Sequence, residues 1–155
     1  MTSRRVYVAH PMLTYDTEWE ASCLRTLAGL LPHVELYNPA GRYLTDASWL
    51  RAWPRVLRSL SGLVVFGTTA DDDYGVGAGE IGTGCIRELG DAIACGVPLL
   101  AFDGERLHEL DGVRLLAIPW RSARRAGALV LGPVFEPNGA FPSVFDGARL
   151  PEVAR

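Results

Sequence analysis

The chain has 155 residues, of which 48% are hydrophobic and 21% charged, with a formal net charge of −3. That length fits one domain with a sizeable core, and the acidic balance offers none of the clustered basic surface that nucleic-acid binding requires. The apolar runs are too short to span a bilayer and the N-terminus does not resemble a signal peptide, so a cytoplasmic protein is expected, with no membrane or nucleic-acid partner.

Cysteines at 23, 85 and 95 show no Cys-x-x-Cys spacing, and two of them sit in helical patterns and read as small core residues, consistent with a reducing compartment. The basic clusters Arg4-Arg5 and Arg121 to Arg125 read as solvated faces.

Arg5 to Ala9 is a β-branched and aromatic run stopped by His10-Pro11, which predicts a buried strand with Val6 and Val8 on one face and Tyr7 and Ala9 on the other. Thr17-Glu18-Trp19-Glu20 predicts a capping box, and Trp19, Cys23, Leu27 and Leu30 follow at helical spacing until Pro32. His33 to Tyr37 predicts a second strand, closed by Asn38-Pro39-Ala40-Gly41. Thr45-Asp46 then caps a helical stripe of Trp49, Trp53, Val56, Leu57 and Leu60, with a kink or a helix break expected at Pro54. Gly62 to Phe66 is wholly apolar and predicts a central strand.

A polar loop from Thr68 to Gly82 carries Asp71-Asp72-Asp73-Tyr74 and several glycines. It feeds a helix from about Gly84 to Cys95 with Ile86, Leu89 and Ile93 inward. Val97 to Phe102 predicts a fourth strand, Leu107 to Leu110 a helical turn, Val113 to Ile118 a fifth strand, and Ala128 to Leu131 a short apolar piece. Residues 1–131 thus read as a single α/β domain, and 132–155, rich in Pro and Gly, as an irregular tail. Alternating strands and helices predict a mostly parallel five-stranded sheet with helices on both faces, a three-layer sandwich. The right-handed crossover rule places the loops at 10–16, 38–45, 67–83 and 103–106 on one edge, at the carboxyl ends of the strands.

At that edge Glu88 is the candidate reacting group. A carboxylate near a helix N-terminus is expected to be held ionised by the dipole and free amides, which suits a nucleophile or electrostatic stabiliser. Carboxylates act as nucleophiles mainly at anomeric carbons, where a covalent glycosyl intermediate divides the reaction. The simpler reading is that Glu88 favours the helix start or pairs with a cation such as Arg87. Thr83 and the amides of Gly82 and Gly84 form a candidate phosphate cradle, with Arg51 or Arg55 to neutralise the charge. His10 is a candidate pocket residue. Gly75-Val76-Gly77-Ala78-Gly79 does not follow a strand directly and fails the dinucleotide fingerprint. A Mg²⁺ ion would suit clustered carboxylates, yet nothing in the sequence demands a metal or cofactor.

Glu88-Leu89-Gly90-x-Ala92-x-Ala94-x-Gly96-x-Pro98, after a glycine-rich turn and the strand Leu63-Val64-Val65-Phe66, resembles the nucleoside 2-deoxyribosyltransferase superfamily, which includes nucleotide N-glycosidases. Val6-Tyr7-Val8-Ala9-His10-Pro11 is similar to that group's first strand, and the resemblance covers roughly residues 5–102. It implies a flavodoxin-like (Rossmann-like) sheet, cleavage or exchange of an N-glycosidic bond on a nucleoside or nucleoside 5′-monophosphate, and a homo-oligomer. It further implies Glu88 as nucleophile, with Tyr7 hydrogen-bonding its carboxylate; as residues alone, Tyr7 equally suits a core aromatic with a satisfied hydroxyl. The chain departs from the family pattern Asp-x-Gly-Thr/Ser-x-x-Glu, having Gly82, Gly84 and Cys85 six, four and three residues before Glu88. Where relatives place an aspartate before the third strand it has Trp53-Pro54-Arg55. Asp72 is then a candidate substitute, against the simpler reading of a solvated acidic turn. The alternatives to an N-ribosyl hydrolase or transferase are a nucleotide-binding or sensing module without turnover, and a scaffold built on the tail and the tryptophans.

Overall fold

The computed structural model describes residues 3–43, 45–69, 81, 83–110, 121–125 and 128–132. Strands β1 (Arg4–Ala9), β2 (Val34–Tyr37), β3 (Gly62–Val65), β4 (Leu99–Phe102) and β5 (Leu107–Glu109) form one sheet in the order β2-β1-β3-β4-β5. β1 to β4 are parallel and β5 runs antiparallel to β4. Helices α1 (Glu18–Leu30), α2 (Asp46–Arg58) and α3 (Thr83–Ala94) connect the parallel strands. A separate antiparallel pair comprises β6 (Arg121–Arg125) and β7 (Ala128–Gly132).

The period-2 alternation of the strands divides the core in two. Tyr7, Ala9, Leu63, Val65 and Ala101 face Trp53, Val56 and Leu57 of α2 and Cys85, Leu89 and Ala92 of α3. Val6, Val8, Val64, Phe66 and Phe102 face Cys23 and Leu27 of α1. β3 is buried at every position, as a strand covered on both faces must be. Each fully buried Leu, Val or Phe contributes about 1.5–3 kcal/mol, so this central strand anchors both layers.

The caps follow their side-chain chemistry. Thr45 and Ser48 make a reciprocal capping box at α2, with bonds of 3.1 and 3.2 Å. At α1 only half of the expected box forms. Thr17 Oγ1 accepts the Glu20 amide at 3.2 Å, but the Glu20 carboxylate reaches past it to accept the Asp16 amide at 3.3 Å. Gly96 closes α3 with φ +70°, the left-handed conformation in which glycine escapes the Cβ clash, and Val97 N–H returns to the Ala92 carbonyl.

Several expectations are corrected. Of the two outcomes expected at Pro54 the helix break does not occur: α2 is one helix with Pro54 inside it, and Pro54 and Leu50 are both exposed. Leu30 is 45% exposed and stands outside the core stripe of α1. Leu107 to Leu110 supplies the edge strand β5 instead of a helical turn, because Phe102 and Leu107 pair across the short turn at 103–106. The strand expected at Val113 to Ile118 and the tail beyond Gly132 lie outside the described residues, and Gly132 itself ends β7. No described helix is long and apolar enough to cross a membrane.

Candidate active site

The parallel strands β1 to β4 all deliver their carboxyl ends, and the loops that follow, to one edge of the sheet. Tyr7 on β1 and Glu88 on α3 meet just beneath it, although 81 residues separate them in sequence. The Tyr7 hydroxyl donates to Glu88 Oε1 in a short hydrogen bond. Trp49 Nε1 donates to the Tyr7 hydroxyl oxygen at 3.3 Å.

α2 holds this group from the side. Trp53 meets the Tyr7 ring edge-on, with centroids 5.0 Å apart, and stacks on Trp49 at 5.6 Å. Its indole N–H donates to Asp91 Oδ2 at 2.8 Å, so α2 and α3 are tied together one turn beyond Glu88. On the β2 side Tyr37 stacks on Tyr7 at 5.7 Å, and the Tyr37 and Tyr43 hydroxyls share a short hydrogen bond. The Arg42 guanidinium sits 4.2 Å from the centre of the Tyr37 ring, a cation–π contact. Burial raises the phenols of part-buried Tyr15 and Tyr43, and an ionised Glu88 raises them further.

The ionisation of Glu88 differs from the expectation. It is the sixth residue of α3, and the helix dipole and free amides act mainly within the first turn. Burial pushes its carboxyl up to about 8; the Tyr7 hydrogen bond opposes that rise, the Asp91 charge adds to it, and Trp49 opposes it. Glu88 therefore favours its protonated form near neutral pH. Burial and the Glu88 charge also push the Tyr7 phenol far up, so Tyr7 remains a donor.

His10 is not placed as a pocket residue. Its side chain has no exposed area, and its ring stacks on Phe66 at 4.7 Å beneath Tyr15 at 4.8 Å. Nδ1 lies 2.6 Å from Thr14 Oγ1, whose own proton goes to the Pro11 carbonyl. Nε2 lies 2.8 Å from Asn38 Oδ1, which also accepts the Ala40 amide. Both ring nitrogens thus face acceptors, the pattern of an imidazolium, with Glu20 Oε2 at 3.5 Å as counter-charge. Burial draws the imidazole the other way, down to about 4. The Thr14 and Asn38 contacts tie the β1 and β2 loops together, and Glu20 of α1 stands beside the ring at 3.5 Å.

No protein-family model matches this chain, and no curated protein matches it.

Of the remaining expected site residues, Asp72 and Gly82 lie outside the described residues, and Thr83 is the first residue of α3. Gly84 sits inside that helix, exposed, with open space where a Cβ would go, so it lines no described turn. Arg51 is exposed with its Nε on the Ala47 carbonyl at 3.3 Å, and Arg55 is exposed. Among the described residues no group of three His, Cys, Asp or Glu is arranged to hold a metal ion. Sequence reasoning missed Trp49, Trp53 and Asp91 as members of the site. The available signal was the i, i+4 spacing of the two tryptophans, whose indole donors need partners once they turn inward.

Proposed function

We propose that this protein cleaves or exchanges the N-glycosidic bond of a nucleoside or nucleoside 5′-monophosphate, with Glu88 as nucleophile. The observation that carries the reading is the Tyr7–Glu88 hydrogen bond at the carboxyl edge of the sheet, with the Trp49 indole as second support. Tyr7 holds one carboxylate oxygen and so fixes the plane in which Glu88 attacks C1′. The C1′–N bond breaks, its electron pair leaves with the base, and positive charge spreads over C1′ and the ring oxygen. Water or an incoming base then attacks C1′ and releases Glu88. Glu88 reacts as the carboxylate, its proton first passing to solvent, and the departing base takes up a proton from solvent in turn.

The strand order β2-β1-β3-β4-β5 supports a flavodoxin-like sheet, with β5 reversed at the edge. The three free cysteines fit a cytoplasmic setting, and a homo-oligomer belongs to the same reading. A second reading, a nucleotide-binding module without turnover, is favoured by one observation: burial keeps Glu88 protonated near neutral pH.

Incubation with a panel of nucleosides and 5′-monophosphates, beside Glu88→Gln, tests the proposal. Free base released by the wild type and not by the variant supports it. Saturable binding without release selects the second reading.

A further inference from the structure

We propose that Trp49 is a positioning residue for Glu88: its indole commits the Tyr7 hydroxyl to donating, so that Oε1 of Glu88 is held as an acceptor and Oε2 is left to bond C1′. The inference rests on Glu88 as nucleophile and adds the residue that sets the direction of its hydrogen bond. A phenol hydroxyl has one proton to give and an oxygen that accepts, whereas an indole N–H only donates. Trp49 Nε1 stands 3.3 Å from the Tyr7 oxygen, so that side of the phenol presents a lone pair and the Tyr7 proton turns to Glu88 Oε1. Among the described residues no other acceptor bonds the Tyr7 hydroxyl.

The direction matters because Glu88 has two protonation states. A carboxylate accepts from Tyr7 whether or not the indole is present. A protonated carboxyl has a second choice: it places its proton on Oε1 and donates to the Tyr7 oxygen, which stabilises the neutral acid. With the indole in place, that arrangement sets the phenol proton against the indole N–H, two donors with no acceptor between them. The proton of a neutral Glu88 is thereby kept to Oε2, and its loss leaves a carboxylate whose Oε1 is already bonded. An N–H on the phenol oxygen also polarises the hydroxyl and strengthens its donation.

Trp49 is held for this task from two directions. The Thr45 carbonyl accepts its amide at 3.2 Å, beside the capping box that starts α2. Its ring stacks on Trp53 at 5.6 Å with planes 21° apart, and Trp53 is itself pinned by its indole N–H on Asp91. Packing needs only the ring; the chain of donors needs the nitrogen. Among the described titratable groups that act on Glu88, Asp91 raises it with a like charge, and Arg87 is turned towards that aspartate at 4.0 Å. The phenols of Tyr7, Tyr15 and Tyr43 are all raised by burial and stay protonated where Glu88 titrates.

The test compares the full chain with Trp49→Phe, which keeps a ring on Trp53 and removes the N–H. Carbon-13 NMR of the glutamate carboxyls is expected to show Glu88 titrating about half to one pH unit higher in the variant. Base release is expected to slow about three- to tenfold at pH ~7, in kcat with KM little changed, and the loss to shrink towards pH ~9 as Glu88 ionises in both proteins. An unchanged Glu88 titration with a loss independent of pH assigns Trp49 to packing alone and overturns the inference, while base release by the wild type leaves Glu88 as nucleophile intact. No release from the wild type overturns the nucleophile reading and this inference with it. Should Trp49→Phe fold poorly, proton–nitrogen NMR of the indoles decides. The Trp49 N–H signal is expected to follow the Glu88 titration in the wild type and to lose most of that response in Tyr7→Phe. A response of equal size in Tyr7→Phe overturns the route through Tyr7.

Discussion

Trp53 and Asp91 join α2 to α3 through a 2.8 Å hydrogen bond, and the indole so held is the one that meets the Tyr7 ring edge-on. Asp91 therefore acts on Glu88 twice, by placing Trp53 behind Tyr7 and by adding a like charge nearby. The two effects separate by substitution. Asp91→Asn keeps an acceptor for Trp53 and removes the charge, so the Glu88 carboxyl should titrate at lower pH with stability little changed. Asp91→Ala removes both and should cost about 1–2 kcal/mol, read as a lower denaturation midpoint in urea. A pH–rate profile that moves in the alanine variant alone would contradict the charge effect.

Tyr7→Phe tests the orienting hydrogen bond. The ring still fills its place between Tyr37 and Trp53, so the fold should persist. Glu88 loses the interaction that most opposes its upward shift, and its carboxyl should titrate above the wild-type value. Loss of a hydrogen bond to a charged group, about 1.5–3 kcal/mol, corresponds to roughly 10- to 100-fold slower base release. Carbon-13 NMR of the glutamate carboxyls measures the first effect and a release assay the second.

Stability should depend on pH through Glu88, with a sign fixed by the direction of its shift. The folded value is raised to about 8 from an unfolded value near 4.5, so between those limits the folded protein binds more protons than the unfolded chain. This contribution is complete below the unfolded value and is lost as pH rises through about 8. The protein should be less stable at pH ~9 than at pH ~6 by an amount of the order of a few kcal/mol, and so melt at lower temperature. Glu88→Gln should flatten that difference; calorimetry of both proteins at both pH values is the measurement.

Gly104 has φ +102°, and a Cβ built there would stand 2.8 Å from the Trp19 ring. Trp19 is itself held by its indole N–H on the Gly67 carbonyl at 2.9 Å, so it cannot swing away freely. Gly104→Ala should destabilise by about 1–3 kcal/mol through strain and clash. Gly90→Ala, inside α3 with open space at its Cβ position, should be neutral or stabilising by up to ~1 kcal/mol. Urea unfolding of the two variants checks both signs.

Much of the fold was legible because its signals are local. Apolar runs such as Gly62 to Val65 and capping threonines at 17 and 45 read directly into β3, α1 and α2. Leu107 misled, and the choice between a kink and a break at Pro54 stayed open, because edge pairing and solvent-side tolerance depend on neighbours that a window of sequence does not contain. At the site, Tyr7 and Glu88 were legible from motif order. Trp49, Trp53 and Asp91 were not, since a tryptophan stripe at helical spacing looks like core, and the polar tip of each indole finds its partner 38 or 42 residues away. The charge state of Glu88 was misread for the same reason: distance from the helix start and depth of burial are properties of the folded chain.

The central claim is that Glu88 becomes covalently bonded to the anomeric carbon. Intact-mass and peptide mass spectrometry of the protein quenched during turnover of a nucleoside tests it most directly. The account predicts a glycosyl adduct on the peptide containing Glu88, absent from Glu88→Gln, together with loss of base release in that variant. Base release that continues undiminished in Glu88→Gln, with no adduct on the wild type, would contradict it.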